Sequence, residues 1–428
     1  MQSPPVDAIA RHLSTAIDKS QELARPEIER RQLQLLEKLC SHARAHVPFY
    51  RDTRRLDPLF RANGQFSLEG LADVPVLTRA VAADNEAALV AERIPPEMLP
   101  LSEDCTSGST GTPLRIKRTL MQAVFSQVLF ERAVKWNNAG PVRRLAITNM
   151  IKASERAQLA TPEALADGVP LDLPTHLDPA EQVALIGRFK PSHIIAFPNL
   201  AEAWLKTGRL DQLASLTTMF ATGEVLRPAI REQLERELKV RVINFYSATE
   251  TGPIAAAGPD GRLRISEETL LLEQPSGPVN PSRPVQVIAT PFYAYAMPLI
   301  RYATGDYVRF SSRRPRESIG LRRLEAVLGR ERSLFRRRDG TRIWPAVHGE
   351  VIGDIVPLRG WQLVQETLDD VVMKIVTSAP PDDLQLAKCR SALDDMVPGF
   401  NIRVEAVTHI DDDRASGKRF ESCLSLVD

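Results

Sequence analysis

Val240-Arg241-Val242-Ile243-Asn244-Phe245-Tyr246-Ser247-Ala248-Thr249-Glu250-Thr251-Gly252 begins as a β-rich apolar run and ends as a polar turn. The first half predicts a buried strand of a layered α/β protein, and the second half falls where such proteins assemble their sites. An aromatic ring, hydroxyls and a carboxylate stand together at that strand end. Tyr246 suits stacking on a base, the Thr249 hydroxyl suits a phosphate, and Glu250 offers the oxygen ligand that Mg²⁺ prefers. The plain alternative is a strand cap leading into a turn.

The same logic extends outward on both sides. Upstream, Glu181 to Phe189 has a helical pattern and precedes the apolar run His193 to Phe197. Thr217 to Thr222 is another short apolar run, followed by the charged helix Pro228 to Glu237. Alternating helices and buried strands predict an α/β fold, a large multi-layer N-terminal domain with β-sheets flanked by helices. Ile9 to His46 reads as one helical segment ended by Pro48, and Met121 to Trp136 as another helix. Downstream, Val285 to Thr290 and Leu299 to Tyr302 read as antiparallel strands. The strand-like run Val371 to Thr377, the helix Leu384 to Met396 and the strand Ile402 to Val407 form a small α+β C-terminal domain. The boundary is placed at 329/330, giving domains 1–329 and 330–428.

Composition narrows the function classes. The 428 residues are 43% hydrophobic and 25% charged, enough for a large core, and 55 basic against 54 acidic side chains leave a formal charge of +1. No global field favours nucleic acid or an anionic membrane, so a small molecule is the expected partner. Cys40, Cys105, Cys389 and Cys423 form no close pair, which argues against a zinc ribbon or disulfide framework and suits a reducing, cytoplasmic setting. No apolar stretch is long enough to span a bilayer.

Four further motifs carry chemistry. Thr106-Ser107-Gly108-Ser109-Thr110-Gly111-Thr112-Pro113 mixes two glycines with hydroxyl side chains, so its backbone N–H groups and hydroxyls can surround phosphate oxygens. No lysine follows Gly111, which excludes the ordinary P-loop. In Pro298-Leu299-Ile300-Arg301-Tyr302-Ala303-Thr304-Gly305-Asp306, Asp306 follows a glycine turn and can accept from both hydroxyls of a ribose. Gly329-Arg330 and Ala415-Ser416-Gly417-Lys418 complete the set. Eleven arginines lie between Arg309 and Arg338. They read as a solvated hairpin and linker, or as a basic surface for the phosphates of coenzyme A.

In this order the motifs resemble the adenylate-forming superfamily, specifically the phenylacetate-coenzyme A ligase-like branch. Ala43-Arg44-Ala45-His46-Val47-Pro48-Phe49-Tyr50-Arg51 is similar to that branch's N-terminal helix and turn, and Ala221-Thr222-Gly223-Glu224 to the segment lining the adenine pocket. The resemblance implies that Ser107, Gly108, Ser109, Thr110 and Gly111, flanked by Lys117, hold the β- and γ-phosphates of ATP. Tyr246 then packs on adenine beside Gly223, Glu224 and Ser247. Thr249 meets the α-phosphate, Glu250 ligates Mg²⁺, Asp306 binds the ribose, and Arg330 lies near ribose and phosphate. Lys418 bridges the attacking carboxylate and the α-phosphate, carried by a small mobile C-terminal domain hinged near Arg330. Two departures stand out: Ser247 replaces a glycine, and Gly252 to Leu272 contains neither cysteine nor histidine, so no zinc is expected.

The activity so implied is an acid–thiol ligase, AMP-forming. A carboxylic acid, aromatic by analogy with that branch, becomes an acyl-adenylate and passes to the thiol of coenzyme A. Phe245, Ala248, Met150 and Ile254 are the candidates to line its acyl pocket. A carrier-protein phosphopantetheine on an acyl carrier protein, or an amine, is the alternative acceptor, and a homodimer is allowed for. A non-catalytic homologue that binds nucleotide or acyl-adenylate is the reading from another class. Retention of Thr249, Glu250, Asp306 and Lys418 together argues against it.

Overall fold

The computed structural model describes residues 6–106, 114–149, 170–274, 279–281, 283–312, 320–330, 333–343, 345, 347, 349–410 and 423–427. The chain divides into two compact units, Met1–Val327 and Leu328–Asp428.

In the first unit the helices are α1 (Val6–Ser20), α2 (Arg25–His46), α3 (Pro48–Thr53), α4 (Arg79–Asp84), α5 (Leu120–Trp136), α6 (Pro179–Phe189), α7 (Pro198–Leu205) and α8 (Pro228–Leu238). Strands β1 (Leu101–Cys105) and β2 (Arg115–Thr119) form an antiparallel arm. The remaining strands are β3 (Leu145–Asn149), β4 (Leu171–Pro174), β5 (His193–Ala196), β6 (Thr218–Ala221), β7 (Arg241–Ala248), β8 (Gly252–Ala257), β9 (Leu263–Ile265), β10 (Leu270–Leu272), β11 (Val285–Pro291), β12 (Tyr302–Phe310) and β13 (Arg323–Arg330). Among the described residues these join in one 11-stranded sheet of order β10-β11-β12-β13-β9-β8-β7-β6-β5-β3-β4. From β4 to β7 the pairing is parallel; between β7 and β8 it turns antiparallel. The central parallel strands β5 and β6 are short, apolar and largely buried, as crossover helices on both faces require.

One apolar cluster joins these strands to α6, α7 and α8, with Trp204 fully buried and its indole N–H donating to Gln182 Oε1 at 2.6 Å. A second lies where α5 meets the antiparallel half, and a third gathers α2, α3 and the residues before β12. In that third cluster the Tyr50 hydroxyl donates to the Pro298 carbonyl at 2.9 Å and accepts from the Ile300 N–H at 3.1 Å. It ties the Pro48-Phe49-Tyr50 turn to the segment that delivers Arg301 and Tyr302.

The second unit has the hairpin β14 (Phe335–Arg336) and β15 (Arg342–Ile343), helices α9 (Gly349–Gly353) and α10 (Asp383–Met396), and strands β16 (Leu358–Gln365), β17 (Asp370–Thr377), β18 (Asn401–Ala406) and β19 (Cys423–Ser425). The last four make a mixed sheet of order β18-β17-β16-β19 around its own core, which includes Leu363, Met373, Ile375 and Leu393. No helix among the described residues is long and apolar enough to cross a membrane.

Three local expectations need correction. The helical segment Ile9 to His46 is interrupted between Ser20 and Arg25, because Pro26 lacks the N–H that would carry a helix through. The strand expected over Leu299 to Tyr302 starts only at Tyr302, since Arg301 has a left-handed backbone (φ 54°). The arginine-rich stretch is not uniformly solvated: Arg323 is buried, and Arg322 donates to Glu267 Oε1 at 2.7 Å. Arg25 reaches the other oxygen of Glu267 at 2.6 Å.

Glu267 is completely buried and fastens the start of α2 to the approach of β13. Burial opposes its ionisation, yet Arg322 and Arg25 outweigh that cost and hold its carboxyl below the usual carboxylate range. Because the folded-state value is depressed, the stabilisation is present above the unfolded carboxyl's value and is lost as pH falls through the folded one. Glu267→Gln is expected to lower unfolding free energy by about 3 kcal/mol near neutral pH, the low end for breaking a buried pair because both arginines are partly exposed. Urea unfolding should show the gap from the wild type narrowing as pH is taken below about 4.

Candidate active site

Strand β7 carries the motif to the line where parallel pairing gives way to antiparallel. Alternation along it sends Phe245 into the core, edge-on to Phe130 and Phe220, and puts Tyr246 on the opposite face. The register slips between Tyr246 and Ser247, and Thr249, Glu250 and Thr251 make the turn into β8. Gly252 takes the left-handed backbone (φ 78°) that a three-residue hairpin loop needs.

The Tyr246 hydroxyl donates to Asp306 Oδ2 at 2.8 Å, joining residues 60 positions apart. Asp306 is held by its own N–H, which donates to Thr304 Oγ1 at 3.1 Å after the left-handed Gly305. On the other flank, the Ser247 and Thr222 hydroxyls are 3.1 Å apart. Thr222 continues β6, so the parallel ladder sets that contact. Glu224 Oε2 accepts from the Asn199 N–H in the first turn of α7 at 3.1 Å, a position where helix N–H groups favour negative charge. Gly223 (φ 80°) lies so close to Phe197 that an added Cβ would come 2.2 Å from the ring.

Glu250 is buried, and both bonds given to its carboxylate fall on Oε1: Arg79 Nη1 at 3.0 Å and the Tyr302 hydroxyl at 3.1 Å. Burial, then the Glu250 charge, push the Tyr302 phenol well up, so it stays a proton donor. Arg79 Nη2 donates to Thr106 Oγ1 at 2.6 Å, and Thr106 Oγ1 also accepts from the Leu114 N–H at 2.9 Å. Thr106 and Leu114 bracket residues 107–113 in sequence, so a single guanidinium ties the residue before the glycine-containing segment to Glu250. From the arm, Arg118 Nη2 donates to the Thr249 carbonyl at 2.6 Å.

Of the residues singled out from sequence, Tyr246, Ser247, Thr249 and Glu250 stand at the end of β7 and Asp306 bonds to Tyr246, while Gly223 and Glu224 lie against Phe197 and Asn199 at the start of α7. Ile254 is fully buried in the core cluster that also holds Phe245, and Ala248 packs against that cluster. Arg330 ends β13. Lys117 pairs with Glu103 across the arm. Ser107, Gly108, Ser109, Thr110, Gly111, Met150 and Lys418 lie outside the described residues. Sequence reasoning missed Arg79, Arg118 and the part played by Tyr302. Tyr302 stood inside a quoted motif; Arg79 had no local signal, since only folding brings it to Glu250.

Residues 71–279 match the family described as AMP-binding enzyme. Most of the site falls within that stretch, and Tyr302 and Asp306 follow it in sequence. Over 95% of this chain and 91% of the other, the structure superposes on 2-hydroxyisobutyryl-CoA ligase in the postadenylation state in complex with R3-HIB-AMP, with TM-score 0.72 and 18% identity. It is also similar to the anthranilate CoA ligase AuaEII in complex with anthranoyl-AMP, with TM-score 0.52 and 15% identity over 74% of this chain and 64% of that one. The fold is therefore the one seen in these two ligases. In sequence, Protein CapK of Staphylococcus aureus is 25% identical over 181 residues, 40% of this chain and 38% of that relative's length.

Two glycines of the site separate steric from conformational demand. Gly223→Ala meets the Phe197 ring and a strained backbone together, so a loss of about 3 kcal/mol is expected. Gly305→Ala has the same strain (φ 82°) and nothing within 4 Å, so about 1 kcal/mol is expected. Thermal melts of the two variants check the ranking.

Proposed function

We propose that this chain uses ATP to activate a carboxylic acid as an acyl-adenylate, releasing pyrophosphate, and passes the acyl group to the thiol of coenzyme A. The observation that carries the reading is the guanidinium of Arg79, which joins Thr106, the residue before the glycine-containing segment, to Glu250. Tyr246, bonded to Asp306, stands on the same strand end.

In this reading Asp306 takes the ribose hydroxyls, with Tyr246 orienting it beside the adenine and Glu224 behind. Thr249 contacts the α-phosphate, and Ser107, Gly108, Ser109, Thr110 and Gly111 hold the outer phosphates. Glu250 fits a divalent cation, because both bonds it receives use Oε1 and a carboxylate presents a second hard oxygen. Mg²⁺ held there supplies charge that offsets the triphosphate.

The substrate carboxylate oxygen attacks the α-phosphorus, the bond to the pyrophosphate oxygen breaks, and pyrophosphate leaves with that electron pair. No general base is needed, since the acid is ionised near neutral pH. Lys418 offsets the charge of two approaching anions through positioning and electrostatics. The thiol sulfur then attacks the acyl carbon, AMP leaves, and the thiol proton passes to solvent. An aromatic acid is the proposed substrate class, by analogy with the branch that the motifs resemble.

ATP–pyrophosphate exchange over aryl, aliphatic and hydroxy acids tests the reading. Acid-dependent exchange is expected with at least one aryl acid, and silence with every acid would reduce the chain to a binding module. Lys418→Ala is expected to slow exchange by ~10²-fold or more. Thioester formation compared between free coenzyme A and a carrier protein identifies the acceptor.

A further inference from the structure

The reading above gives Glu250 to a divalent cation, yet the fold has already provided this carboxylate with a cationic partner. Leu77 is paired on both sides with the start of β12, its N–H donating to the Arg301 carbonyl at 3.0 Å and its carbonyl accepting from the Ala303 N–H at 3.0 Å. Thr78 then caps α4, so Arg79 begins that helix facing Tyr302 and Glu250. The Arg79 side chain is about one-fifth exposed and that of Glu250 only 7%, so the pair is partly desolvated.

A nearly buried carboxylate beside the place of a triphosphate is unfavourable twice over, through lost hydration and through repulsion of the phosphates. The guanidinium offsets both while no metal is bound. Once a divalent cation arrives with the nucleotide, two cations compete for one carboxylate and repel each other. We infer that Arg79 is a resident counter-ion of Glu250 that the nucleotide-bound divalent cation displaces, with Thr106 holding the released guanidinium. Arg79 is thereby a positioning residue that lowers the dependence of nucleotide binding on metal. The inference rests on Glu250 being the metal ligand.

The test is the ratio of ATP dissociation constants without metal, in EDTA, and with excess Mg²⁺, measured calorimetrically on the full chain in the absence of acid substrate. Any contact between Arg79 and phosphate enters both constants and largely cancels, as does a general loss of structure. Arg79→Met is expected to raise the ratio by about tenfold, the worth of one charge-assisted hydrogen bond that Mg²⁺ no longer has to break. Tyr302→Phe removes the other bond to the same oxygen while keeping the ring. It should raise the ratio about threefold, and it serves if Arg79→Met does not fold.

Glu250→Gln should bring the ratio down towards unity. If Glu250→Gln does so while Arg79→Met and Tyr302→Phe leave the ratio at the wild-type value, the counter-ion role is overturned and the metal assignment stands. If Glu250→Gln leaves the ratio unchanged, Glu250 is not the metal ligand and both fall. A wild-type chain that binds no ATP under either condition overturns the functional reading itself.

Discussion

One strand with two kinds of neighbour organises the whole first unit. Backbone hydrogen bonding commits β7 to a parallel partner on one side and an antiparallel partner on the other. Parallel pairing needs crossover helices, which place α6, α7 and α8 around that half; antiparallel pairing needs only a hairpin, which places Thr249 to Thr251 at the strand end. The polar residues of the motif thus emerge where the two halves meet, with Thr222 from β6 on one side and Asp306 from β12 within reach of Tyr246.

Holding that geometry falls to buried polar contacts rather than to apolar packing alone. Arg301 shows how. Its backbone N–H donates to Thr290 Oγ1, and its guanidinium grips Glu273 with two bonds of 2.8 Å. It also donates to the carbonyls of Ala72 and Val74. Arg301 is therefore a clamp that docks residues 72–77 on the sheet. Docking that segment positions Arg79, and Arg79 in turn reaches both Glu250 and Thr106. The Arg301–Glu273 pair and the Arg79–Glu250 pair are thus linked through the short segment between Val74 and Arg79.

Arginines elsewhere repeat the lesson that charge in sequence does not reveal environment. Arg322 is committed to Glu267, Arg132 to Glu268 at 2.6 Å, and Arg338 to Asp369 on the surface of the second unit. Each needs an acidic partner from a distant segment, and a run of basic residues carries no mark of which members have one. The near balance of charges across the chain is consistent with this pairing, since cations with partners leave little field for a polyanion.

The amino-acid sequence by itself determined the alternation of helices and buried strands, because hydrophobic periodicity is a local property. It also marked which short segments bear chemistry, because the polar turn after β7, the Gly305-Asp306 turn and the glycine-containing loop are each unusual within a few residues. Tertiary structure alone decided which side chains meet. The break between α1 and α2, the late start of β12 at Tyr302 and the burial of Arg323 each follow from backbone or packing constraints that periodicity does not register. The bridge from Glu250 through Arg79 to Thr106 spans 171 and 27 positions of chain. Contacts at such separations arise from sheet register and from the clamp at Arg301, and no local pattern of residues encodes them.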